Sequence, residues 1–261
     1  LYKAAQNHAA VARGQVESAA ILNFQWGATI PEMNVSSIPF LMTRADQLKK
    51  FPSSEAAALL NKKIEERGVK PIAWLVDAND GIFTSGKQVL VKPADFTGIT
   101  IRGLSKLFDA GLAAVGASPS AMPGSEVYQA LESGVIDASL TGVAAAYSRR
   151  FYEVQKFGAA STIVTAYSNI VVNPAWWNKL PDDAKKTVLT AAHKAEVAMT
   201  PTSDEVDPED IKRLKDKGMN VVVLTKAQEK ELAAVMQPAV IKAFTESAPD
   251  GAKLLELVKK L

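Results

Sequence analysis

Arg102 is the side chain in this sequence whose type and position best suit a recognisable piece of chemistry. It closes the short apolar run Ile99-Thr100-Ile101, after the turn-forming Phe96-Thr97-Gly98. An arginine at a strand end can aim a planar fork of donors into a cleft, which suits bidentate capture of a carboxylate. The same spacing also fits a surface arginine in an ion pair. Aromatic residues form a second group. Trp26 follows a strand in Asn23-Phe24-Gln25-Trp26-Gly27, Phe83 lies in Asp80-Gly81-Ile82-Phe83-Thr84, and Trp176 and Trp177 follow Asn173-Pro174. Ligands of α/β folds sit beyond strand ends, where several of these residues fall. Phe83 and one of the tryptophans read better as core. Asn169 and Asn173 occupy or follow a strand and fit a structural role as well as a ligand-facing one.

Catalytic patterns are missing. The sequence contains no H-E-x-x-H, no G-x-S-x-G, no G-x-x-x-x-G-K-S/T and no G-x-G-x-x-G after a strand, so no cofactor is expected. His8 and His193 lie in alanine-rich helical surroundings and read as ordinary helix residues, since a metal site wants clustered ligands. Glu65-Glu66 and Asp182-Asp183 are neighbours along helices, and such neighbours do not face each other, so they make poor acid/base pairs. With no nucleophile to nominate, an α/β enzyme is the weaker reading.

The chain has 261 residues, enough for one large domain or two lobes. Hydrophobic residues make up 48% and charged residues 22%, and the formal net charge is +2. This balance gives no basic face for nucleic acid and no polybasic membrane patch. There are no cysteines, which excludes disulfides and thiolate sites and is compatible with an oxidising compartment. Leu1-Tyr2-Lys3 opens directly into a helical pattern with no signal peptide.

Short apolar runs alternate with amphipathic stretches, the α/β pattern. Strands are predicted at Ala19–Phe24, Ile72–Val76, Ile99–Arg102, Asn169–Asn173 and Asn220–Leu224. Helices are predicted at Ser54–Arg67, Ser105–Val115, Ser125–Ser133, Asp182–Thr200, Asp204–Lys217, Ala227–Phe244 with a kink at Pro238, and Ala252–Leu261.

The stretch Pro93-Ala94-Asp95-Phe96-Thr97-Gly98-Ile99-Thr100-Ile101-Arg102 resembles the Pro-x-Asp-apolar-x-Gly-apolar-Lys-apolar-Arg motif of the solute receptors of tripartite ATP-independent periplasmic (TRAP) transporters, DctP type. Val115-Gly116-Ala117-Ser118-Pro119, Met122 and the run from Ser125-Glu126-Val127-Tyr128 to Asp137 are similar to the segment that follows in that family. So are Phe151-Tyr152-Glu153-Val154-Gln155-Lys156-Phe157, Ile30-Pro31 and Ile38-Pro39-Phe40-Leu41. The likeness covers nearly the whole chain in order.

The resemblance implies a two-lobed α/β periplasmic solute-binding fold with a ligand cleft between lobes and no catalysis. It implies a small organic acid held by Arg102, delivery to integral membrane subunits, a periplasmic location and a monomer. The lobes expected are 1–79 plus 168–206, lacking an N-terminal strand and helix, and 80–167 plus 207–261, with crossings near Asp80, Tyr167 and Val206. Thr141 stands where many members carry a ligand-binding asparagine. Sialic-acid receptors carry a second arginine where this sequence has Ile82 and Phe83. One guanidinium beside a wall of Trp26, Ile82 and Phe83 would penalise a second carboxylate. The favoured ligand is therefore an aromatic or apolar monocarboxylate, and the alternative a small dicarboxylate with Lys87 or another cation serving the second charge. A sensor receptor with the same fold is indistinguishable from a transport receptor by sequence.

Overall fold

The structure, a computed structural model, describes residues 2–122 and 124–261. Leu1, where the expected first lobe begins, lies outside the described residues.

The strands are β1 (Ser18–Leu22), β2 (Lys70–Ala78), β3 (Gly81–Ser85), β4 (Thr100–Arg102), β5 (Ser118–Pro119), β6 (Ala138–Thr141), β7 (Phe157–Ser161), β8 (Ala166–Val172) and β9 (Asn220–Val223). Among the described residues they form two sheets, ordered β1-β8-β2 and β5-β4-β6-β3-β7-β9. In the first, β8 is antiparallel to both neighbours. In the second, β3 is antiparallel to β6 and β7, while β5, β4 and β6 run parallel to one another and β7 runs parallel to β9. Sequence patterning missed β3, β5, β6 and β7. All four are short, and the Ala of β6 and the Gly and Ala of β7 carry little strand propensity, while the Ile82-Phe83-Thr84 of β3 is too brief a run to alternate clearly; pairing and burial supply what local pattern does not. β3 and β6 are buried along their whole length.

Alternation along β3 divides the second lobe into two apolar layers. Phe83 packs with Phe96, Phe108, Leu112 and Leu140 on one face. Ile82 packs with Val127, Phe151, Leu214 and Val221 on the other. The first lobe has its own core, in which Ile21, Trp74, Tyr167 and Val171 of the small sheet meet Ala56, Ala57, Leu60 and Ile64 of the helix Glu55–Glu65. That helix starts at Ser54, whose hydroxyl accepts from Ala57 N at 3.2 Å. It stops at Gly68, whose φ of +81° suits a residue without a Cβ. Side chains blunt both edges of the small sheet. Asn7 Nδ2 donates to the Ala20 carbonyl at 3.2 Å, and Glu196 Oε1, from the helix Asp182–Met199, accepts from Trp74 N at 2.8 Å.

The chain passes between the sheets at residues 79–80 and 162–165. It passes again between the helix Asp182–Met199, packed along β2, and the helix Pro208–Asp216, packed beside β9. The expected second-lobe segment 207–261 needs correction at its end. In the helix Lys226–Ser247, Leu232 and Met236 pack in the second lobe, while Val240 and Phe244, beyond Pro238, pack in the first. The last helix, Gly251–Lys259, buries Leu254, Leu255 and Val258 in the first core. Apolar residues on one face of each helix follow the nearest core, whatever their order in the chain.

Candidate functional site

Register fixes which way Arg102 faces. It lies opposite Ser139 on the parallel strand β6, and Thr141, two residues on, lies opposite Ile82 on β3. β3 begins, and β7 ends, where the chain crosses to the other sheet. Arg102 and Thr141 therefore both lie at the end of the large sheet that faces the first lobe.

Two backbone oxygens orient the Arg102 guanidinium. Nε donates to the Met122 carbonyl at 3.4 Å, and Nη1 donates to the Leu140 carbonyl at 3.1 Å. The residue is half-buried. Among the described residues no carboxylate reaches it within 4.0 Å. Burial and then the nearby Arg149 charge push its pKa down, while Asp109 pushes it up; an arginine remains protonated regardless. Asp109, on the helix Lys106–Ala114, is a distant counter-charge. Burial raises its carboxyl, opposed by Arg102, and its Oδ1 is buried with no hydrogen-bond partner. Among the described residues two of the five guanidinium donors are held and the others have no partner, which suits them to an anion.

Arg149 sits beside this group and was not singled out from sequence. It follows the helix Val143–Ser148, and its Nη1 donates to the Thr141 hydroxyl at 3.4 Å. Its guanidinium lies over Gly124, where an added Cβ would be 3.1 Å from Nη1 and 3.2 Å from Nη2. It too has no carboxylate within ion-pair distance among the described residues. In the sequence Arg149 and Arg150 stand side by side before Phe151. The structure separates the two: Arg150, in a left-handed backbone conformation, pairs with Glu153, and Arg149 turns to Thr141.

The remaining predicted residues do not gather here. Trp26 is buried in the first core beside His8, with ring centroids 4.7 Å apart. Phe83 is buried in the second core, edge-on to Phe96 at 5.0 Å. Ile82 faces the opposite layer. The expected aromatic wall is thus three residues in three separate cores. Asn169 is fully buried on β8, opposite Ile21 and Trp74, with both amide atoms unpartnered. Asn173 caps two helices at the end of the small sheet away from the crossings. Its Oδ1 accepts from Trp176 N at 3.0 Å, and its Nδ2 donates to the Val11 carbonyl at 2.8 Å. Trp176 is at that same far end, packed against Trp177. Lys87 pairs with Asp137 at 2.7 Å.

Two concavities near the crossings are lined by carboxylates. One of about 320 Å³ at the β2–β3 crossing is lined by Asp77, Asp80 and Asp210. Another, of about 620 Å³, mixes Asp204, Glu205 and Glu229 with Lys212 and Lys226. At the end of β6, Arg102 and Arg149 face the Leu140 and Thr141 side, while the Asp80 carboxylate is taken up by Val143 N just beyond Thr141.

A profile of bacterial extracellular solute-binding protein family 7, DctP, matches residues 1–247. The chain belongs to this family. It is 26% identical over 263 residues to a solute-binding protein of Albidiferax ferrireducens, covering 100% of this chain and 77% of that protein. It is 28% identical over 220 residues to the C4-dicarboxylate-binding periplasmic protein DctP of Rhodobacter capsulatus, covering 84% of this chain and 66% of the relative. A TRAP periplasmic solute-binding protein of Desulfovibrio salexigens with bound orotic acid superposes with a TM-score of 0.85 at 26% identity, covering 98% of this chain and 82% of that one. One from Shewanella oneidensis with bound succinate gives 0.84 at 26% identity, with 100% and 84% covered. The two-lobed α/β architecture is that of the DctP receptors, a family of small-organic-acid binders.

Proposed function

We propose that this chain is the periplasmic receptor of a TRAP transporter, capturing a small organic acid and presenting it to integral membrane subunits without catalysing any reaction. The observation that carries this reading is Arg102: a half-buried guanidinium, fixed by two carbonyls and free of any carboxylate partner, at the lobe-facing end of β6. Such a group costs desolvation energy that an incoming carboxylate offsets through charge-assisted hydrogen bonds. Crossings between the lobes give the hinge positions about which a cleft can close. The acids bound by the related receptors support the ligand class. The apolar-bodied monocarboxylate favoured by the sequence loses its physical basis, because Trp26, Ile82 and Phe83 are core residues.

Calorimetric titration of a panel of organic acids tests the proposal. Arg102→Ala and Arg102→Lys should both weaken the best-bound acid, the alanine variant by about a hundredfold or more, since lysine lacks the fork and alanine the charge. A dissociation constant unchanged in Arg102→Ala discards the assignment.

A further inference from the structure

We infer that Arg149 is a second ligand-binding cation, and that it makes this receptor selective for acids with a second carboxylate. The inference rests on the Arg102 reading and adds to it a specificity-determining residue.

Three observations converge. First, both guanidiniums attach to consecutive residues at the end of β6: Arg102 donates to the Leu140 carbonyl and Arg149 to the Thr141 hydroxyl. They also share the loop that follows β5, where Arg102 donates to Met122 and Arg149 lies against Gly124. Second, the Arg149 charge bears on Arg102, and no carboxylate among the described residues ion-pairs with either. Two like charges with only the distant Asp109 as counter-charge repel each other, and a ligand carrying two negative charges relieves this most. Third, the seat of Arg149 is built for a flat group. An added Cβ on Gly124 would lie 3.3 Å from Cζ, so alanine would press the guanidinium by a few tenths of an ångström and a bulkier side chain would compete for its seat.

The division of labour follows from the donors. Arg102 is held on two sides and takes the first carboxylate. Arg149 is exposed, and among the described residues its remaining donors have no partner. The Thr141 hydroxyl accepts from Arg149, so its own proton can go to a ligand oxygen lying between the two cations. A monoacid would leave one guanidinium uncompensated when the lobes close.

Succinate and its half-amide, succinamate, differ in one charged group at nearly constant shape, so this pair is the probe. The native protein should bind succinate more tightly, by about tenfold or more. Arg149→Gln should weaken succinate by a similar factor and leave succinamate within about twofold. Gly124→Val, which keeps the charge but blocks its seat, should weaken succinate selectively in the same way. Arg102→Ala should weaken both acids. Equal native affinity for the two acids, or an equal loss of both in Arg149→Gln, overturns the role of Arg149 and leaves Arg102 standing. Tighter binding of a monoacid of the panel than of every diacid likewise overturns the role of Arg149 and leaves Arg102 standing.

Discussion

Gly103 and Asp109 occupy one space: the Asp109 carboxylate sits where a Cβ on Gly103 would be, with Leu112 Cδ1 closing the other side at 3.0 Å. The glycine directly after Arg102 thus lets the buried carboxylate approach the arginine's strand. Gly103→Ala should destabilise the fold by about 1–3 kcal/mol through overpacking. Adding Asp109→Ala should recover much of that loss, so urea denaturation of the single and double variants should show strong non-additivity. Purely additive effects would mean that the two residues do not compete for the same volume.

Asp80 supplies a pH test at the crossing between lobes. Burial pushes its carboxyl up and the Val143 amide, donating at 3.1 Å, holds it down, while the Asp210 and Asp207 charges add to the rise; the net shift is upward. An acid whose folded pKa exceeds its unfolded value binds its proton more tightly when folded. Ionised Asp80 therefore costs stability above its folded pKa, and the cost fades as pH falls through that value towards the unfolded one, about 3.9. Asp80→Asn keeps an oxygen for Val143 and removes the charge. It should raise the melting temperature at neutral pH, with the advantage vanishing in acid. A gain that does not change with pH would show that charge is not its cause.

Asn173 tests structure against ligand binding. Its amide caps the helix Pro174–Lys179 through Oδ1 and engages the carbonyl end of the helix Asn7–Ala12 through Nδ2. Asn173→Ala should cost about 2 kcal/mol, from a lost cap and a carbonyl left without its donor. The affinity for organic acids should not move. A loss of affinity with little loss of stability would return Asn173 to the binding site.

Long amphipathic helices and strands rich in Val and Ile were legible in the sequence, since each carries its period in its own residues. The helix Glu55–Glu65 begins beside Ser54 and ends before Gly68, as its capping residues imply, and β9 covers the predicted run to within one residue. The strands β3, β5, β6 and β7 were not legible, because runs of two to five residues carry too little pattern of their own and are fixed by pairing with segments far along the chain. The site followed the same division. The position of Arg102 at a strand end is a local property and is found there. The proximity of Arg149 depends on how the helix Val143–Ser148 folds back over the loop near Gly124, which no local pattern records. Following a strand is likewise weak evidence for facing a cleft: Trp26 and Trp176 both do so, yet one is core and the other sits at the wrong end of its sheet.

A single rod, Lys226–Ser247, about 33 Å long at 1.5 Å per residue, is threaded through both halves of the molecule. A truncation before Lys226 would open apolar slots in both lobes at once, so neither half is self-sufficient as a folding unit. Any change in the angle between the halves has to be absorbed along or at the ends of this rod. Its weakest point is built in: at Pro238 no amide is available to donate to the Ala234 carbonyl, and that gap falls between the residues gripped by one half and those gripped by the other.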